Sequence, residues 1–117
     1  MKNSESVQHE YHFHLYFPLD RYEEAKKVLD GFKGEFSLPV GRQWDRPVGP
    51  HPIGSCQITV TSDFFETVVH WFFKHRGGFD VFVHHVSGDD LRDHTDAVMW
   101  IGKSHPLKLE MFRKSSD

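Results

Sequence analysis

From Glu10 to Phe17, apolar and polar residues alternate without a break. Tyr11, Phe13, Leu15 and Phe17 fall on one side, and Glu10, His12, His14 and Tyr16 on the other. A period of two marks a strand with one apolar face, and Pro18 ends it. The spacing then turns helical. Asp20 can cap a helix over 21–30, with Tyr22, Ala25, Val28, Leu29 and Phe32 on one stripe and Gly31 and Gly34 as stop signals. A short strand is predicted at 36–40, and Pro39 within it points to a sheet edge, because proline cannot donate to a ladder. Residues 41–54 read as a long loop whose prolines and glycines fix its path, and a long loop in a small domain is usually functional.

The second half repeats the plan. A strand over 55–61 places Cys56, Ile58 and Val60 on one face. Asp63 and Glu66 match a capping box opening a helix over about 64–75, which Gly77 and Gly78 terminate. A strand over 79–85 follows, with Val81 and Val83 opposite Asp80, Phe82 and His84. A helical segment at about 91–100 and an added strand at 107–111 complete the pattern. The order β-α-β-β-α-β is the ferredoxin-like α+β arrangement: an antiparallel sheet, two helices on one face, and an extra C-terminal helix or strand. One domain is expected over 10–112, between flexible tails at 1–9 and 113–117.

Composition narrows the function. The net charge is −3, with no basic stripe to suit a nucleic acid and no apolar run of transmembrane length. The single cysteine, Cys56, excludes an internal disulfide, and the polar N-terminus lacks a signal-peptide core. A cytoplasmic protein is expected. Ten of the 117 residues are histidine, the commonest metal ligand and the usual base near neutral pH.

Topology sorts these histidines. Strand one is expected between strands three and four, parallel to three and antiparallel to four. His12, His51 and His84 then converge at one corner of the sheet face away from the helices, and are the predicted metal ligands. His14 is the replacement should one fail. His14 or His94 would act as acid and base. Arg42 and Arg46 flank Trp44, where an arginine could clamp a substrate carboxylate, stack on the indole or pair with Asp45. Tyr16 and Phe82 could sandwich a ring or bury a dimer interface. The carboxylate of a 2-His-1-carboxylate site is harder to nominate. Glu10 shares the face of His12, but Asp80 is about 13 Å along the strand from His84 at roughly 3.3 Å per residue, so an all-histidine site stays open.

Five stretches, Tyr11–Phe17, Val40–Arg42, Arg46–Pro52, Val83–His84 and Ser87–Thr95, resemble the DOPA 4,5-dioxygenase family of small extradiol enzymes. The likeness covers about residues 10–110. It implies a ferredoxin-like fold, non-haem iron, and ring cleavage of a catechol such as DOPA or a related phenolic acid by O₂. Fe(II) is the expected cofactor, with Zn²⁺ or another divalent metal as an alternative in purified protein. A homodimer would cover the open sheet face or the Pro39 edge. Competing readings are a non-catalytic metal-binding or scaffold protein, and a metal-free isomerase using histidine as a base on an aromatic acid.

Overall fold

The strict alternation of residues 10–17 becomes β1 (Glu10–Phe17), the central strand of a five-stranded sheet. The computed structural model describes residues 8–113. Along the chain follow α1 (Tyr22–Glu35), β2 (Val40–Trp44), β3 (Gly54–Thr61), α2 (Phe65–His75), β4 (Asp80–His85), α3 (Asp90–Asp93) and β5 (Val98–Ile101). The sheet order is β2-β3-β1-β4-β5, and every neighbouring pair is antiparallel. Phe13, Leu15, Phe17, Ile58, Val60, Val81 and Val83 pack against Ala25, Leu29 and Phe32 of α1 and Val68 and Phe72 of α2. This is the α+β fold the patterning predicts, with the apolar faces assigned correctly. No helix is long and apolar enough to cross a membrane, among the described residues.

One pairing is reversed. β3 runs antiparallel to β1, pairing Phe17 with Gly54 and Glu10 with Thr61. The reason is the β2–β3 hairpin. Crossover through α1 leaves β2 running the same way as β1, and the hairpin then turns β3 around. His51, just before β3, therefore starts from the far end of β1 and not beside His12. A Cβ at Gly54 would lie 2.8 Å from the Phe17 ring and 3.0 Å from the carbonyl oxygens of Phe17 and Trp44. Only glycine lets β1, β2 and β3 close up where the preceding loop turns over the sheet.

Other boundaries shift for local reasons. Helix α1 continues through Gly31 and Gly34 to Glu35, because a helical glycine costs only about 1 kcal/mol and Trp71 packs over Gly31. Short 3₁₀ turns at Leu19–Arg21 and Ser62–Phe64 precede both long helices, so Asp20 and Asp63 sit in turns and not at caps. The edge strand begins at Val40, after Pro39, and a register shift between Val40 and Gln43 places Arg42 and Trp44 on β2 and not in the loop. Within 91–100 only Asp90–Asp93 is helical, capped by the Asp89 side chain on the Arg92 N–H, and Val98–Ile101 pairs with β4. Residues 107–111 form no strand; a 3₁₀ turn spans Glu110–Phe112.

The sheet face away from the helices is not open. His14, Tyr16, Phe82 and His84 on that face are all buried. The loop before β3 and the segment after β5 cover it, joined by a hydrogen bond from the Lys108 N–H to the Pro50 carbonyl. His105 stacks on Trp100, and Phe112 stacks on His94. An uncovered face was one of two grounds for expecting a homodimer, and the chain's own cover removes that one; the other, the sheet edge at Pro39 and β2, is unaffected. Of the expected tails, residues 1–7 and 114–117 lie outside the described residues, while Gln8 and His9 bond to Ser62.

Candidate metal and substrate site

Three imidazoles meet on the covered face. His12 and His14 are alternate residues of β1, and His84 of β4 is the registered partner of His12. Their ligand atoms all lie within 4.8 Å of one another. The Nε2 atoms of His14 and His84 are 3.1 Å apart, and the rings of His12 and His84 are 5.1 Å apart. The compact group thus contains His14 in the place predicted for His51.

Hydrogen bonds fix what several of these rings can do. The Nδ1 of His84 lies 2.8 Å from the His85 carbonyl oxygen, which can only accept. Nδ1 of His84 therefore carries the hydrogen and Nε2 keeps a lone pair aimed at His14. A carbonyl behind a histidine is the usual device for presenting the opposite nitrogen to a cation. His94 is held alike, with Nδ1 2.7 Å from the Asp90 carbonyl and its ring 4.2 Å from that of His84. His12 is less enclosed, with Nε2 3.5 Å from a Glu10 carboxylate oxygen and 3.4 Å from Gln57 Nε2.

Burial sets the charge. It holds His14 well below the ordinary imidazole pKa, reinforced by His51, His84 and His12. Burial likewise depresses His51 and His84 to about 4, with His94 and His12 acting in the same direction. His12 is lowered by burial, with Glu10 opposing. Three neutral imidazoles with converging nitrogens suit a divalent transition metal, whose bonds to histidine are about 2.0–2.1 Å. His12, His14 and His84 fit that role. No carboxylate belongs to the group among the described residues, although Glu10 is in contact with His12.

His51 arrives by a different route, carried by the Pro-rich loop until its ring lies 4.2 Å from that of His14. Its Nδ1 is 2.7 Å from the buried Tyr16 hydroxyl. A cleft of about 190 Å³ opens beside these rings, lined by His14, His51, Trp44, Ser55 and Gln57. Trp44 forms its outer wall, with the Arg42 guanidinium stacked 4.3 Å from its ring centre and Arg46 at 5.8 Å. Arg46 also pairs with Asp45 at 3.5 Å. Tyr16 and Phe82 do not line the cleft. Both are fully buried beneath the histidines, because Trp100, His105 and His51 close over them, so they support the rings and cannot sandwich a ligand.

Sequence reasoning passed over Asp80 with His105, whose Nε2 and Oδ2 are 2.8 Å apart at the Tyr16 end of this face. Nothing in the polar stretch after β5 has a period that could reveal the pairing. Asp93 is buried, but its oxygens accept from the Ser87 N–H and hydroxyl. Burial raises its pKa while these bonds lower it, and the bonds prevail. It anchors the turn that carries His94. His85 faces the helix side and packs against Tyr11. A larger cavity, about 320 Å³, lies on that side and is lined chiefly by Tyr11, Phe65, Val83, Val98 and Met99.

Residues 11–111 match the Dopa 4,5-dioxygenase family. The chain belongs to that family. Among curated relatives of this Dopa 4,5-dioxygenase family member, DOPA 4,5-dioxygenase of Amanita muscaria is 35% identical over 117 residues, covering 92% of this chain and 51% of its own length. An uncharacterized 21.2 kDa protein of Botryotinia fuckeliana is 28% identical over 113 residues, covering 86% of this chain and 62% of its own. The chain thus spans about half to three-fifths of these relatives. A crystal structure of a candidate dioxygenase from Nostoc punctiforme superposes with a TM-score of 0.86 at 31% identity, over 98% of this chain and 99% of that one.

Proposed function

We propose that this protein is a metal-dependent extradiol dioxygenase that opens the ring of a catechol, such as DOPA or a related phenolic acid. The observation that carries the reading is the His12–His14–His84 group, with ligand atoms within 4.8 Å, beside a cleft of about 190 Å³. Family membership supplies the reaction class. The net chemistry is balanced by the two substrates: one carbon–carbon bond of the catechol breaks, and both oxygens of O₂ enter a ring-opened semialdehyde.

His12, His14 and His84 would hold the metal. Fe(II) suits a site with three protein ligands, because it supplies open coordination positions where catechol and O₂ can be activated together. A closed structural zinc site asks for four protein ligands, and the compact group has three. This favours an open site over a non-catalytic metal store. It also favours metal over a metal-free isomerase, which needs only one base.

The remaining residues divide the work by position. His94 keeps a lone pair on Nε2, since Nδ1 donates to the Asp90 carbonyl, and is the group we assign to take the proton from the catechol hydroxyl and return it. Arg42, stacked on Trp44, would pair with a substrate carboxylate. Arg46 is the weaker choice, being engaged with Asp45.

Anaerobic loading with Fe(II), addition of DOPA or caffeate, then admission of air tests the reading. A yellow product with one O₂ consumed per ring is expected, and loss of both in His14→Ala and His84→Ala. No oxygen uptake across a panel of catechols would reject it.

A further inference from the structure

Resting on that reading of the site, we infer that His51 is a hydrogen-bond donor to the bound substrate and not a metal ligand, and that Tyr16 is the positioning residue that keeps it in the donating tautomer. The inference comes from counting protons. The Tyr16 hydroxyl is buried, with His51 Nδ1 at 2.7 Å as its hydrogen-bonding partner. A phenol keeps its proton at neutral pH, its ordinary pKa being about 10. That proton needs an acceptor, and Nδ1 of His51 is the one in reach. Were Nδ1 protonated instead, the phenol hydrogen would be buried without an acceptor, at a cost of about 1–3 kcal/mol. Nδ1 therefore accepts, and the ring hydrogen of neutral His51 sits on Nε2.

The contrast with its neighbours gives this meaning. His84 and His94 donate from Nδ1 to backbone carbonyls and present lone pairs on Nε2. His51 presents the reverse, an N–H, because a hydroxyl and not a carbonyl stands behind it. Its ring lines the cleft, and its Nε2 makes no hydrogen bond to the described residues. The ligand-atom group that spans 4.8 Å leaves it out. A donor beside the ligand histidines is suited to an oxygen of the bound catechol, where negative charge builds as the hydroxyl loses its proton.

The test has three arms. Long-range ¹H–¹⁵N correlation spectra of the Zn²⁺-loaded protein should show His51 protonated on Nε2 and bare on Nδ1, with a tautomer mixture in Tyr16→Phe. Zn²⁺ stoichiometry should be unchanged in Tyr16→Phe and His51→Gln. With Fe(II) and DOPA, Tyr16→Phe should lower kcat by about 10- to 100-fold with KM little moved, as for other residues that orient a functional imidazole. His51→Gln keeps an N–H₂ donor near the Nε2 position and should retain partial turnover, and adding Tyr16→Phe to it should cost nothing more. An Nδ1–H tautomer, metal loss in His51→Gln, or wild-type kcat in Tyr16→Phe each overturns the assignment. If no catechol is turned over by the unmodified protein, the dioxygenase reading falls and the substrate-donor role with it; the tautomer and Zn²⁺ stoichiometry still decide independently whether His51 is a ligand.

Discussion

His14 and His84 meet Nε2 to Nε2 at 3.1 Å across neighbouring strands. Two nitrogens bonded to one metal at about 2.1 Å would stand about 3.0 Å apart at right angles and about 3.4 Å apart in a tetrahedron, so the observed spacing is compatible with joint ligation. Replacing either ring by alanine should weaken Zn²⁺ or Fe(II) binding by well over about tenfold, the effect expected when even a supporting residue is lost. Equilibrium dialysis against each metal measures it. Unchanged affinity in His84→Ala would place the metal elsewhere.

Metal-free protein should lose stability as the pH falls from about 6.5 toward 4. His14, His51 and His84 are neutral when folded, with pKa values held below the ordinary 6.5 by burial, to about 4 for the latter two. In that window the unfolded chain binds protons the folded chain refuses. The stabilisation is complete above 6.5 and is lost on descent. Each group contributes at most about 1.4 kcal/mol per pH unit. Urea midpoints at pH 7, 6 and 5 should fall in order, and a flat series would mean that these rings protonate freely in the fold.

Arg42→Gln should select among substrates. Loss of a charged pair to a carboxylate is worth about 1.5–3 kcal/mol, or roughly 10- to 100-fold in kcat/KM, for DOPA or caffeate. Catechol itself, which has no carboxylate, should be affected little. Equal losses on both would make Arg42 a prop for Trp44 and nothing more.

Gly102→Ala should destabilise the protein by about 1–3 kcal/mol. The residue sits at φ +102°, and a Cβ there would collide with Asp80 Oδ1, which the Lys103 N–H also uses. Thermal melts read the effect. A variant as stable as the parent would show that the turn after β5 can relax, and with it the Asp80–His105 contact.

The facing of β1 and β4 was legible because eight residues of β1 alternate without exception and Val81 and Val83 flank Phe82. Side choice followed directly, and with it the shared face of His12, His14 and His84, although the expected trio was His12, His51 and His84 with His14 as the replacement. Strand direction was not legible in the same way. Alternation says which face a residue takes but nothing about which way a neighbour runs, so the path of His51 was misjudged while its arrival near the site was not. Four apolar residues at Val98–Ile101 are too few to separate a strand from a helix turn. The cover over the site was invisible for a related reason: residues 102–113 fold by single contacts, such as His105 with Asp80 and Lys108 with Pro50, that leave no period in the chain.

The placement of the three histidines on strands has a thermodynamic consequence. His14 and His84 are 70 residues apart in the chain and become neighbours only when β1 and β4 pair. An ion held between them binds the folded sheet and gains little from the unfolded chain, so its chemical potential is coupled to folding itself. Saturating metal at about 100 times its dissociation constant would add about 2.7 kcal/mol to the stability, and a chelator would withdraw it. In such an arrangement occupancy and foldedness would rise and fall together, so that losing the ion would loosen the sheet as well as empty the site.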